Sequence, residues 1–324
     1  EGVPDDDRPR VQGVSNATAI EGGSSSIAKD LIFDVTLSNR STTETTVTLA
    51  LNTATTNGAT ITGTALDIGV RSVSFDGGKT YTVFTGNDIK VPANTDPTQI
   101  KVKLEVLNDS LVENTETLTL SAKTQYETGA GQTGTGTILD NDSQGITIGG
   151  NGTTPALGNV LVAEGQDAVF TVKLTNISAT DTVVTLGVTA TGATGQAATT
   201  DIKALEYFNG TSWVAVPVNG QVTIAAGQTE LQVRVPTVQD SVYEGNENFQ
   251  ITANLSPAVG ATGTGTIVDD GSPTPPPPGP GPFPTPEDDR PRVQGVSNAT
   301  AIEGGSSSIA KDLIFDVTLS NRST

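Results

Sequence analysis

The chain is predicted to be all-β, two tandem seven-stranded antiparallel sandwiches, on three observations. Apolar residues fall at every second position in short runs such as Phe33-Asp-Val-Thr-Leu37, Phe170-Thr-Val-Lys-Leu174 and residues 100–106, the period of strands that bury one face. Clusters of Gly, Asn, Asp and Thr break these runs at intervals of about 8–12 residues, and no segment carries a sustained helical period. Hydrophobic residues make up only 34% of the 324 residues, with a single Trp. That suits thin cores of Val, Ile, Leu and Thr laid between two sheets.

Two repeats organise the chain. Residues 6–42 recur without a change at 288–324, an offset of 282, which implies tandem duplication. A fainter repeat lies inside that period and relates residues 19–142 to 162–270. Glu21-Gly answers Glu164-Gly, and Phe33-Asp-Val-Thr-Leu37 answers Phe170-Thr-Val-Lys-Leu174. Asp67 answers Asp201, each closing a Gly-, Ala- and Thr-rich loop. Ser74-Phe-Asp-Gly-Gly-Lys-Thr-Tyr81 answers Tyr207-Phe-Asn-Gly-Thr-Ser-Trp213, an Asp-Gly or Asn-Gly hairpin signal between aromatic flanks. Gly-Thr-Gly-Thr-Ile138-Leu-Asp-Asn-Asp142 answers Gly-Thr-Gly-Thr-Ile267-Val-Asp-Asp-Gly271. The domains expected are a sandwich over 1–142, a second over 143–271, a Pro-rich linker over 272–287 and the first strands of a further sandwich over 288–324. The linker composition favours extended polyproline II broken by glycines. The partial repeat reads as a window cut from a longer array; the other reading is that its strands complete a neighbouring copy.

The acids follow the inner repeat. Asp109-Ser-Leu-Val-Glu-Asn-Thr-Glu116 and Asp240-Ser-Val-Tyr-Glu-Gly-Asn-Glu247 place carboxylates at relative positions 1, 5 and 8 of the turn that feeds a strand. Alternate turns of an antiparallel sandwich lie at one end, so Glu21, Asp67, Asp109, Glu113 and Asp140 are expected to meet in the first sandwich, with Glu116 and Asp142 beside them. Glu164, Asp201, Asp240, Glu244 and Asp269 are expected to meet in the second, with Glu247 and Asp270 beside them. Like charges so close repel, unless they point into water or share a hard cation such as Ca²⁺.

In this order, the early Glu-Gly, the Asp67 and Asp201 loops, the Asp-x-x-x-Glu-x-x-Glu turns and the closing Asp-x-Asp or Asp-Asp resemble the Calx-beta domain family. The wording of the second turn and closing strand is similar to extender repeats of giant bacterial surface adhesins. The resemblance covers nearly all of residues 10–271. It implies Ig-like sandwiches whose Ca²⁺ ligands are the fourteen acids just named. Asn108 and Gln239 stand where calcium-rich members carry further Asp, and Asn141 and Gly271 interrupt the closing acids. Fewer charges imply fewer or weaker ions.

Other functions are bounded by what is missing. The net charge of −19 disfavours nucleic acid and anionic membrane. With no Cys and no His, there are no disulfides, Zn-thiolate sites, cysteine nucleophiles or imidazole bases. No apolar run reaches the ~18 residues of a membrane span. The chain reads as a non-catalytic structural segment of an extracellular fibre or cell-surface adhesin stalk. Its partners would be neighbouring repeats of the same protein, with other copies of the chain as a further possibility. A self-assembling filament subunit, or a module gripping glycan or protein, is the alternative.

Overall fold

The computed structural model describes residues 6–24, 26–63, 66–150, 158–240, 242–268, 290–301, 303, 312–320 and 322–323. The Pro-rich linker and the closing acids Asp269 and Asp270 lie outside them. The chain forms two compact units, Glu1–Ser143 and Gln144–Thr324. Among the described residues none is helical, and no helix is long and apolar enough to cross a membrane.

The first unit holds β1 (Val11–Val14), β2 (Ala17–Ile20), β3 (Asp30–Leu37), β4 (Thr45–Thr53), β5 (Ile68–Ser74), β6 (Thr82–Val83), β7 (Asp88–Val91), β8 (Ile100–Val106), β9 (Glu116–Thr124) and β10 (Gln132–Leu139). They make two five-stranded sheets, β1-β3-β8-β5-β6 and β2-β10-β9-β4-β7. The second unit repeats the plan with β11 (Ile146–Gly150), β12 (Asn159–Ala163), β13 (Asp167–Leu174), β14 (Thr182–Thr189), β15 (Glu206–Phe208), β16 (Trp213–Ala215), β17 (Gln221–Ile224), β18 (Glu230–Pro236), β19 (Val242–Tyr243), β20 (Glu247–Ser256) and β21 (Val259–Val268). Its sheets are β11-β13-β18-β15-β16 and β12-β21-β20-β14-β17. After the linker come β22 (Val293–Val296), β23 (Val317–Leu319) and β24 (Arg322–Ser323); β22 pairs with β23, and β24 runs parallel to β19.

The all-β sandwich expected from the sequence is what forms, with one addition. Its first strand breaks at Ser15-Asn16, and the halves join opposite sheets. β1 pairs antiparallel with β3, while β2 runs parallel to β10; β12 and β21 repeat that parallel pair. Crossing between sheets makes the strand's second half run alongside the last strand, hence parallel in an otherwise antiparallel module. The break is fastened at both residues: the Asp34 amide donates to Ser15 Oγ at 2.8 Å and the Thr135 amide to Asn16 Oδ1 at 2.8 Å. The short β6 and β7 raise the count above seven.

Alternation builds the core as expected. Leu31, Phe33, Val35 and Leu37 of β3 and Ile100, Val102, Leu104 and Val106 of β8 are buried between the sheets. Phe170 and Phe249 are fully buried in the second unit and meet edge to face, 6.3 Å apart at 78°. The closing Gly-Thr-Gly-Thr strand has its own reason. A Cβ on Gly265 would sit 2.1 Å from Phe249 Cζ, and one on Gly136 would meet Leu31 Cδ1 at 2.8 Å and Phe33 Cζ at 3.0 Å. Glycine therefore makes room for the largest core ring of each sandwich. Gly265→Ala is expected to destabilise the second unit by about 1–3 kcal/mol through overpacking, read as a lower urea midpoint with an unchanged slope.

The hairpin signals form as read. Asp76 Oδ1 accepts from the Lys79 and Thr80 amides at 3.0 Å each, and Asn209 Oδ1 from the Thr211 and Ser212 amides at 3.0 Å each. The glycines after them adopt positive φ, at Gly77, Gly78 and Gly210.

Candidate metal centre

At one end of the first unit the polypeptide arrives from four places. Glu21 follows β2, and its amide donates to the Leu139 carbonyl at 3.0 Å, which extends the parallel pair by one residue. Asp140 and Asp142 leave β10: Asp140 Oδ2 accepts from the Glu113 amide and Oδ1 from the Asp142 amide, each at 2.7 Å. Asp67 precedes β5, and its carboxylate accepts from the Thr60 amide; its own carbonyl accepts from Leu107 at 2.9 Å. Asp109 turns the chain after β8 by accepting from the Leu111 amide at 2.7 Å. Glu116 opens β9 opposite Ile138.

These loops collect two groups of carboxylates. Glu21, Asp140 and Asp142 each offer an oxygen within 4.8 Å of the others, and so do Asp67, Glu113 and Glu116. Glu21 is 3% exposed and Asp67 7%. Glu21 Oε2, Glu116 Oε2 and Asp142 Oδ2 are buried without a hydrogen-bond partner. Among the described residues no Lys or Arg forms an ion pair with any of these six acids, because the unit's ion pairs lie elsewhere, as Lys101–Asp34 and Lys103–Asp30 do. The electrostatic cost shows in their titration. Burial first, then the charges of Asp109, Asp140 and Glu113, pushes Glu21 up to about 7. Burial, then Asp67, Asp109, Asp140 and Asp142, pushes Glu113 up to about 7. Glu116 rises to about 8 through burial and a hydrogen bond shared with the Asp67 carboxylate.

The second unit repeats one group: Asp201, Glu244 and Glu247 offer oxygens within 4.8 Å of one another. The Ala198 amide donates to Asp201 Oδ2 at 2.6 Å and the Val242 amide to Asp240 Oδ1 at 2.7 Å. Glu164 accepts from the Asp240 amide at 3.1 Å and from Gln239 Nε2 at 3.2 Å, so Glu164 and Asp240 are also neighbours.

The two asparagines read as gaps in the acidic pattern have a structural task. Asn141 Nδ2 donates to the Glu21 carbonyl at 2.7 Å and to Asn108 Oδ1 at 2.8 Å. Gly22, at φ +62°, lies so close that a Cβ there would meet Asn108 Oδ1 at 2.4 Å and Asn141 Nδ2 at 2.8 Å. The Glu-Gly landmark thus needs its glycine both for backbone conformation and for the amides that hold Glu21 in place. The signal was in the Glu-Gly pair, but the amides that press on it lie 86 and 119 residues further on.

Fold and site together define a tandem of β-sandwich modules with carboxylates gathered at loop ends. The family model of the Calx-beta domain matches residues 27–144 and 164–270, more than half of the chain, and the chain belongs to the Calx-beta family. Among solved structures, the calcium binding domain CBD12 of CALX1.1 is 12% identical over 74% of this chain and 77% of that one, with a TM-score of 0.26. CBD12 from CALX1.2 is 12% identical over 80% and 99%, with a TM-score of 0.27. CfaE, the adhesive subunit of the CFA/I fimbria of enterotoxigenic Escherichia coli, is 12% identical over 79% and 98%, with a TM-score of 0.35. No curated protein matches.

Proposed function

We propose that this chain is a non-catalytic structural segment of an extracellular fibre or adhesin stalk whose sandwiches are rigidified by Ca²⁺. The observation that carries the reading is Glu21, a carboxylate 3% exposed, with one oxygen unpartnered, set among Asp140 and Asp142. A buried charge without a counter-charge costs several kcal/mol, and a cation turns that cost into binding energy. The donors are all carboxylate oxygens, with no imidazole, thiolate or thioether in the chain. Such a set suits a hard ion, and irregular loops with six or more oxygens to offer suit Ca²⁺ over the stricter Mg²⁺. Calx-beta domains as a class bind calcium, which favours the same choice.

One ion at Glu21, Asp140 and Asp142 and a second at Asp67, Glu113 and Glu116, with Asp109 between, would tie the ends of β2 and β10 to the starts of β5 and β9. In the second sandwich Asp201, Glu244 and Glu247 would hold an ion, with Glu164, Asp240, Asp269 and Asp270 as further ligands. Cross-linking loops that are distant in sequence restrains each sandwich at the end where its strands leave it, which is what a load-bearing spacer needs. The test is a calcium titration of the chelated full chain, followed by thermal unfolding. One site saturated a hundredfold contributes about 2.7 kcal/mol. The second unit should gain that much, and Asp201→Asn with Glu244→Gln should abolish the gain there while leaving the first unit's response intact. A parent chain whose melting is indifferent to calcium would end the ion reading.

A further inference from the structure

The chain holds four Asn-Gly pairs, at Asn57, Asn151, Asn209 and Asn219. In such a pair the glycine nitrogen, with no side chain beside it, can close a five-membered ring on the asparagine carboxamide carbon. A fold assists when donors sit on the carboxamide oxygen, where negative charge develops, and when the glycine N–H and the departing nitrogen are both unheld. Asn151 lies outside the described residues; the other three sit in different settings. At the tip of the β15–β16 hairpin, Asn209 Oδ1 accepts three hydrogen bonds: from the Thr211 amide at 3.0 Å, the Thr211 hydroxyl at 2.9 Å and the Ser212 amide at 3.0 Å. Among the described residues nothing accepts from the Gly210 amide or from Asn209 Nδ2. Residues 209–212 are all exposed, so water reaches them. Asn219 is guarded instead. The Gly220 amide donates to the Pro217 carbonyl at 2.7 Å, and Asn219 Nδ2 to Gln221 Oε1 at 3.1 Å. The Asn57 carboxamide has no donor among the described residues, and its backbone is clamped. The Asn57 carbonyl accepts from the Thr117 amide at 2.9 Å, and a Cβ on Gly58 would lie 2.1 Å from the Ala54 carbonyl oxygen. In the first unit Asp76 stands where Asn209 does, and the Gly77 amide after it is held by the Gln99 carbonyl at 3.0 Å.

We propose that Asn209-Gly210 is a self-acting modification site, which turns its carboxamide into a carboxylate with water as the only co-reactant. The Gly210 nitrogen gives its proton to solvent base and bonds to Asn209 Cγ, while the two amides and the Thr211 hydroxyl hold the developing oxyanion. The Cγ–Nδ2 bond then breaks, and the nitrogen takes up a proton and leaves as ammonia. Water opens the resulting succinimide at either carbonyl. Breaking the new N–Cγ bond gives aspartate, which keeps the turn, because Asp76 fastens the first hairpin by accepting from the Lys79 and Thr80 amides in the same way. Breaking the original main-chain bond gives isoaspartate and lengthens the main chain by one carbon. That lengthening falls between Phe208 and Trp213, which pair across β15 and β16 with their rings 5.5 Å apart, and it loosens the pair. Either product adds one negative charge. The inference is independent of the metal reading, since it uses none of those acids.

The test incubates the full chain in oxygen-labelled water at mildly alkaline pH, folded and in urea, then digests it in ordinary water and locates the labelled positions by fragmentation in a mass spectrometer. In the folded chain Asn209 is expected to take up label at least about fivefold faster than Asn57 and Asn219, the worth of one hydrogen bond or more. In urea the three rates should converge, since the sequence around each bond is Asn-Gly alike. Thr211→Ala removes one of the three donors from an exposed turn. It is expected to slow labelling of the folded Asn209 by about fivefold and to leave the rate in urea and the melting of the second unit unchanged. The proposal is overturned if the folded chain labels Asn209 no faster than Asn57 and Asn219, or more slowly than the chain in urea does. It is overturned too if Thr211→Ala melts like the parent and labels Asn209 at the parent's rate, since the donors would then play no part.

Discussion

Calcium added to the chelated protein is expected to raise the melting temperature of the Glu1–Ser143 unit by roughly 15 °C, and Glu113→Gln with Glu116→Gln is expected to remove about half of that rise, the share of the site they line, while making the ion-free unit more stable. Two sites saturated a hundredfold supply about 5 kcal/mol together, and a domain of this size moves by about 3 °C per kcal/mol. The sign of the ion-free effect is the diagnostic part. In an ordinary surface cluster, a Gln in place of Glu changes little. Here burial holds both Glu113 and Glu116 above their ordinary range, reinforced for Glu113 by Asp67, Asp109 and Asp140 and for Glu116 by Asp67, Glu113 and Glu21. Neutral isosteres therefore relieve repulsion at neutral pH and remove ligands in the same step. Scanning calorimetry on both proteins, with chelator and with 5 mM Ca²⁺ as the two arms (roughly a hundredfold above a tens-of-micromolar site), reads both effects. Ion-free variants less stable than the parent would show that the acids are held by hydrogen bonds alone.

How much of this could be read from the residues depends on range. The alternation in β3 and β8 is local, and each strand's inward face follows directly from its own sequence; so do the hairpins at Asp76 and Asn209. The parallel seating of β2 on β10 was not legible. Nothing in Ser15-Asn16 marks a break as Pro or Gly would, and the fasteners are the Asp34 and Thr135 amides, backbone groups without sequence identity. The inner repeat presents the acids twice, and nine of the fourteen stand in three groups among the described residues. Their partition was not legible: Glu116 and Asp142, expected as ligands beside a single cluster, stand in two separate groups with Asp67 and Glu21. A second repeated feature went unread because its parts are cross-strand. Lys103 faces Asp30 and lies 4.8 Å from the centre of the Tyr81 ring, and Arg234 pairs with Asp167 at 2.6 Å and lies 4.6 Å from the centre of the Trp213 ring. The cations differ, the rings differ, and only the sheet brings them together.

Raising the pH is expected to weaken the ion-free first unit and to leave the calcium-loaded one almost unchanged. Glu21 and Glu113 titrate at about 7 and Glu116 at about 8 in the folded ion-free unit, against an ordinary 4.5. The folded state therefore binds protons that the unfolded chain has already released, and stability falls with pH wherever the folded state holds more protons. Below about 4.5 these three groups are protonated in both states and cost nothing. Between about 4.5 and 8 each must either keep a proton or carry an unpartnered buried charge, and the unit loses stability throughout that window. Above about 8 the loss is complete and the curve flattens. A bound cation supplies the missing counter-charge, returns the carboxylates to their ionised form and removes the slope. Melting curves of the chelated full chain at pH 5, 6, 7 and 8 should step downward for the first unit, and the same series in calcium should not. A chelated unit that gains stability over that range would mean the acids are stabilised as anions without any ion, and the cluster would then have no reason to bind one.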